Sequence, residues 1–252
     1  MSLKLPSAST PSRTFKAGCL FLFVFSLVLP TRAVNTTGRV VCRPEFAAAR
    51  RRALADQLRE ITGFDELYFD ADGALRHGDT YSGGSPAARE LVLSAISGQH
   101  LLIFEDASNR DDVVFCRIVG GRWVNDAAAK PPVQIVLIDF ADFSRVTGDR
   151  EALAAFNVGW GVLHELSHAV HNSLDAHRAG EVGECEELIN RMRRECALAE
   201  RAEYFFTFYP GMERSAFKTR YVRLAFEQQR PETGKKRRLW LMWDAVLVGG
   251  LK

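Results

Sequence analysis

The chain has 252 residues, of which 33 are basic, 31 acidic and 47% hydrophobic. That is the make-up of a globular protein, and it argues against a disordered tail, a collagen-like fibre or a coiled coil. A formal charge of only +2 also argues against a dedicated nucleic-acid binder, which carries a clustered basic excess.

Residues 1–16 hold Lys4, Arg13 and Lys16 and no acid, and residues 17–29 (AGCLFLFVFSLVL) are an unbroken apolar run. Pro30, Thr31, Arg32 and Ala33 follow. A basic segment, a short apolar segment and small residues at the exit read as a secretory signal peptide cleaved after Ala33. The run is shorter than the roughly 20 residues that span a membrane. The expected organisation is a signal peptide at 1–33 and one domain at 34–252, secreted or periplasmic, with no stable membrane anchor after cleavage. Cleavage removes four of the 33 basic residues and none of the 31 acidic ones, so the mature chain is slightly acidic.

Four cysteines follow the leader: Cys42, Cys116, Cys185 and Cys196. An even number suits an oxidising compartment. On one helix Cys185 and Cys196 would lie about 16 Å apart along the axis, too far to bridge. Cross-pairing with Cys42 and Cys116, or four unpaired thiols, both remain open.

Residues 44–61 read as a helix, with Pro44 near the start and Gly63 past the end. Residues 66–82 read as short strands around Asp72-Gly73. Ser85-Pro86 opens a helix running to about Ile96. Strands are expected at 101–104, 113–119 and, most strongly, 133–140 (VQIVLIDF). From Glu151 the pattern turns helical: one helix to about Asn172, a second at 184–203 and a third at 212–229. Small Gly159 and Gly161 in the first of these suit close packing. The apolar tail at 239–248 is expected to dock on the core as a strand or helix, since exposed it would invite aggregation. The fold expected is α+β, a mixed N-terminal part followed by a helical C-terminal half.

Residues 164–168 read His-Glu-Leu-Ser-His, an H-E-x-x-H within a predicted helix. Spacing of four puts His164 and His168 one turn apart on one face, where two imidazoles can hold one zinc ion. Glu165 lies beside that face and can take a proton from a zinc-bound water and pass it to a leaving amine. A third protein ligand is required, with the fourth position left to water. A histidine six residues past His168 is missing, because that position is Leu174. His171 would lie about 10 Å along the helix from His164, too far to share its ion. Asp175 and His177 in the following loop are possible ligands. The choice made from the sequence is Glu186 on the next helix, with Glu187 and Glu184 as alternatives and Asn190 one turn on as an orienting residue. Acids at a helix start also arise simply because they suit the helix dipole.

The run from Gly183 to Tyr204, GECEELINRMRRECALAERAEY, resembles a segment of the M91 effector-type zinc metallopeptidases and their bacterial relatives. In that family an HExxH precedes E-N-x-x-R-x-E-x-G-L-P-x-R-x-x-Y. Asn190, Arg193 or Arg194, Glu195, Arg201 and Tyr204 match it, and Cys196-Ala197-Leu198-Ala199 departs from the Gly-Leu-Pro. The resemblance covers about residues 155–210. It implies a zincin-like peptidase fold and a ligand, or the support for one, from the second helix. Tyr204 lies in this segment and is the first choice for stabilising the tetrahedral oxyanion, with aromatic packing against Phe205, Phe206 and Phe208 as the plainer role. Arg194 and Arg201 are expected to pair with nearby acids.

The function expected is a zinc-dependent peptidase acting on a protein or peptide substrate, with Glu165 and Tyr204 catalytic, His164, His168 and Glu186 as metal ligands, and Zn²⁺ as cofactor. Alternatives are a toxin or effector protease with few substrates and a zinc-binding protein without catalysis. No nucleic-acid partner is expected, because the basic run 235–238 is short and lacks an extended patch.

Overall fold

The computed structural model describes residues 39–120, 132–209, 220–230 and 232–249. The chain divides into two units, Met1–Val34 and Asn35–Lys252, and every described residue belongs to the second. The expected signal peptide lies outside the described residues. Among these, no helix is long and apolar enough to cross a membrane.

The N-terminal part runs β1 (Val40–Cys42), α1 (Ala48–Thr62), β2 (Leu67–Phe69), β3 (Leu75–His77), α2 (Pro86–Ser97), β4 (Leu101–Asp106), β5 (Cys116–Gly120) and β6 (Val133–Ile138). Then come α3 (Phe140–Ser144), β7 (Thr147–Gly148), α4 (Arg150–Ala154), α5 (Val158–His171), α6 (Glu184–Glu195) and the strands β8 (Glu200–Arg201), β9 (Thr207–Phe208), β10 (Tyr221–Gln229) and β11 (Lys236–Asp244). The fold is mixed α+β.

The first sheet has the order β1-β4-β6-β5. Strands β1, β4 and β6 are parallel, and β5 runs antiparallel to β6 at the sheet's edge. Side chains alternate between faces with period two. Val40, Cys42, Leu102, Phe104, Val136 and Ile138 point to one face, where they join Leu54, Leu58, Leu91, Trp160 and Leu163 of the helices in the main core. Ile135 and Leu137 point the other way, onto Ala107 and Val113. Helix α5 packs against α1, α2, α6, β5 and β6 and so runs through the centre of the domain. Its two glycines make this possible. A Cβ on Gly159 would lie 3.0 Å from Gln57 Cβ and Ile61 Cδ1, and one on Gly161 would lie 2.8 Å from Phe143 Cζ.

The second sheet has the order β7-β11-β10-β8, with β9 also on β10. It corrects the expectation of a helical C-terminal half. Tyr221–Gln229, expected as the end of a third helix, form β10, and residues 212–219 lie outside the described set. Val222, Leu224 and Phe226 alternate along β10 and meet Leu239, Leu241 and Trp243 of β11 in a second core. This is strand periodicity, and the paired apolar faces outweigh any helical preference of the segment. The tail docks as expected, as a strand.

Two helix boundaries also differ. The expected helix from Glu151 breaks at residues 155–157, where Asn157 accepts the Trp160 N–H at 3.2 Å and caps α5. The expected helix 184–203 stops at Glu195. Leu198 N–H donates to the Arg193 carbonyl and Ala197 N–H to that of Arg194, with Ala197 left-handed at φ 55°. This is a Schellman stop with alanine where glycine is usual. Alanine gives no helix-ending signal in the sequence.

Candidate metal centre

Helix α5 is held at both ends. Asn157 caps its start, and Asn172, left-handed at φ 54°, ends it by donating to the His168 carbonyl. Within it, Glu165 is buried, whereas His164 and His168 keep side-chain exposures of 12% and 19%. The following loop folds back over this face. Ser173 and Ser167 share a 2.6 Å hydrogen bond, and an antiparallel bridge joins Asp175 to Gly183. Gly183 has φ 85°, and a Cβ there would lie 2.3 Å from Ala176 N, so only glycine lets the loop close this tightly.

The fold-back brings three donor atoms together. His164 Nε2 lies 3.2 Å from His168 Nε2 and 3.1 Å from Asp175 Oδ1, and His168 Nε2 lies 3.4 Å from Asp175 Oδ1. Donors about 2.0–2.1 Å from a tetrahedral zinc ion stand about 3.3 Å apart, so this triangle has the size of one face of a zinc tetrahedron. Both rings are correctly turned. Nδ1 of His168 donates to the Ser173 carbonyl at 2.7 Å, and Nδ1 of His164 faces a Glu186 carboxylate oxygen at 3.1 Å. With each Nδ1 occupied by an acceptor, both Nε2 atoms are directed at the centre. Asp175 was among the possible ligands in the loop, and the geometry makes it the third donor.

Glu186, chosen from the sequence as third ligand, is placed differently. It lies against Nδ1 of His164 instead of Nε2, with a side-chain exposure of 1%. It pairs with Arg193, and with Arg201 at 3.0 Å. Burial raises its pKa, but Arg193, Arg201 and His164 hold it well below the ordinary carboxylate value. Two guanidinium groups therefore already claim this carboxylate, and it faces the His164 ring from the Nδ1 side. Asn190 completes the group: it accepts from Arg193 at 2.9 Å and donates to the Arg201 carbonyl at 2.8 Å. Arg194 pairs with Glu200, as expected of a nearby acid. Glu184, Glu187, His171 and His177 are all exposed.

Glu165 is 7% exposed, and its Oε2 accepts the Ile118 N–H of edge strand β5 at 2.8 Å. Burial pushes its pKa above the ordinary carboxylate value, against the pull of His164, His168 and the Ile118 amide. The raised pKa brings this carboxylate closer to the range of a working general base. The Asp175 hydrogen bond does most to lift His168, to about 10.

Tyr204 stacks on the His164 ring, with centroids 6.0 Å apart and planes 22° apart, and its hydroxyl hydrogen-bonds Asp175. The sequence choice of Tyr204 thus falls at the donor triangle. Cys185 was considered only as a disulfide partner, yet its Sγ lies 3.4 Å from His164 Nδ1. It shares a cluster of possible metal donors with His164, His168 and Asp175, all within 4.8 Å of one another. Its approach is to Nδ1, as for Glu186. Burial raises its pKa, but His164 and His168 bring it down to about 7. Cys42, Cys116, Cys185 and Cys196 are each unpaired, so neither cross-pairing is made.

An open polar groove of about 480 Å³ passes over Glu165, His168, Asp175 and Tyr204 and along Arg117 and Ile118 of β5. Comparison with protein-family models, with curated proteins and with solved structures finds no match for this chain.

Proposed function

We propose that this chain is a zinc-dependent peptidase of zincin-like fold, similar to the M91 effector-type metallopeptidases, that hydrolyses peptide bonds with Glu165 as general base. The observation that carries the reading is the triangle of His164 Nε2, His168 Nε2 and Asp175 Oδ1, of zinc dimensions, with the Glu165 carboxylate next to it. His164, His168 and Asp175 would hold the ion. Bound zinc supplies Lewis acidity, polarising a carbonyl and lowering the pKa of water.

Glu165 takes the proton of the attacking water and returns it to the leaving amine. The Ile118 amide fixes the carboxylate in place. The Tyr204 hydroxyl, at the triangle's edge, would turn its one proton from Asp175 to the oxyanion of the tetrahedral intermediate. Among the described residues β5 is the outer strand of its sheet. An extended peptide would add along this edge as a further strand, beside the Ile118 amide that Glu165 already holds. A secreted or periplasmic setting would accord with the leader read in the sequence.

The test is elemental analysis for zinc together with cleavage of denatured casein and of a mixed peptide pool, on wild-type protein and on Glu165→Gln. Expected are one zinc per chain in both and a fall in cleavage of about 10²- to 10⁴-fold in the variant. Cleavage by Glu165→Gln at the wild-type rate overturns the reading. Zinc without cleavage by the wild type points instead to a zinc-binding protein without catalysis.

A further inference from the structure

On the other side of Glu165 from the polar groove lies a second cavity, of about 320 Å³. Cys116, Glu165 and Tyr204 line both spaces, so the reacting centre stands where the two meet. The walls of this cavity differ in kind from those of the groove. Phe115, Phe143, Phe156, Trp160, Leu224 and Trp243 form most of them, and Phe206 is at the mouth, 37% exposed. Among the described residues, the charged groups in its lining are Glu186, Arg193 and Arg201, paired with one another, and Glu165 and His164 on the side shared with the reacting centre. A charged side chain entering here would exchange its water for mostly apolar walls.

The wall is also held under strain. Phe115 has φ 61°, a left-handed conformation that a bulky residue rarely takes. Two backbone bonds impose it: its N–H donates to the buried Asp142 carboxylate at 3.1 Å, and its carbonyl accepts the Asp139 N–H at 2.8 Å. The result is a ring packed against Phe156 at 4.9 Å, Phe143 at 5.1 Å and Trp243 at 5.2 Å between centroids. Strain of this kind persists where the surrounding structure over-determines a residue, and such residues cluster at functional sites. Here it sets the back wall of the cavity.

We propose that this cavity is the specificity pocket of the site and takes one large uncharged apolar side chain, aromatic or long aliphatic, from the residue adjoining the scissile bond. The inference rests on the peptidase reading and adds the substrate class to it: peptides cut beside Phe, Tyr, Trp, Leu or Met. Its size suits one such side chain, and its rings offer edge-to-face contacts. The rest of the substrate lies in the polar groove along β5.

The test uses the full chain loaded with zinc and a proteome-derived peptide pool, with cleavage sites read by mass spectrometry. The expected result is a large apolar residue on one fixed side of the cut bond, preferred over alanine by about 10-fold or more in kcat/KM. Leu224→Trp fills the cavity from its far wall and should reduce that preference at least 10-fold, with alanine-flanked peptides still cut. Phe206→Ala opens the exposed mouth and serves as a second variant if Leu224→Trp fails to fold. A binding measurement needs no turnover. In Glu165→Gln protein the fluorescence of Trp160 and Trp243 should respond to a phenylalanine peptide and not to its alanine counterpart. Cleavage without regard to flanking residue, or equal fluorescence responses, overturns the pocket and leaves the peptidase reading intact. Absence of cleavage by zinc-loaded wild type overturns the peptidase reading, and the fluorescence comparison then decides the pocket by itself.

Discussion

The carboxylate of Glu186 stands 3.1 Å from Nδ1 of His164 while two arginines grip it from the other side. One buried acid thus joins the structural ion group of α6 to the orientation of the His164 ring. An acceptor at Nδ1 turns Nε2 outward, and Arg193, which is buried, and Arg201, which is partly so, need a carboxylate.

Replacing the two acids near His164 separates their roles. Glu186→Ala leaves Arg193 and Arg201 without their carboxylate and should cost about 3–5 kcal/mol of stability, along with an about 10- to 100-fold weaker zinc affinity. Asp175→Ala should abolish stoichiometric zinc with a much smaller loss of stability, because its side chain is 37% exposed. Urea unfolding and elemental analysis of both variants check this. Full zinc content in Asp175→Ala removes Asp175 from the ligand set.

Tyr204→Phe keeps the ring stacked on His164 and deletes only the hydroxyl bonded to Asp175. Turnover should fall about 10- to 100-fold with one zinc per chain retained. A steady-state comparison at saturating substrate measures it, and an unchanged kcat shows that the tyrosine only packs.

Glu195 predicts a pH dependence. Its Oε2 accepts the Ser85 hydroxyl at 2.6 Å and the Ala87 N–H at 3.0 Å, tying α6 to the first turn of α2. Burial raises its pKa, but Ser85, Ala87 and Arg191 together hold it below the ordinary value of 4.5. A depressed folded-state pKa gives stability that is present above the unfolded value and lost as the pH falls through the folded one. Glu195→Gln should therefore cost about 1 kcal/mol at pH 7, and the gap to wild type should close as the pH drops below about 4. Thermal unfolding across pH 3–7 tests it, and a constant gap contradicts the assignment.

Ala197 holds a left-handed φ of 55° at the end of α6, a conformation that favours glycine. Ala197→Gly removes the Cβ clash but frees the unfolded chain, so the net gain should be about 0.5–1 kcal/mol. A raised midpoint in urea supports this, and a lowered one shows that the Cβ makes a contact worth more than the strain.

Much of the N-terminal part was legible residue by residue. Ser85-Pro86 marks the start of α2, Gly63 the end of α1, and VQIVLI the inner strand β6, because caps, turns and strand periodicity are local. In the C-terminal half α5 and α6 fall within the expected helices, but β10 was read as a helix. The alternation of Val222, Leu224 and Phe226 was present, but a strand is stabilised by its partner, and that partner is β11, the next strand in the chain.

By itself the sequence determined the pairing of His164 and His168, because a spacing of four on a helix puts both rings on one face whatever surrounds them. Only the tertiary structure decided what completes the triangle. Asp175 and Glu186 are both acids close behind His168 in the chain, and nothing in their spacing separates a donor from a ring-orienting group. Gly183 and the Ser167–Ser173 bond turn the loop so that Asp175 meets the Nε2 edges, while Arg193 and Arg201 hold Glu186 at Nδ1. Which side of an imidazole a carboxylate reaches depends on where two elements cross, and that crossing is set by packing distributed over the whole core.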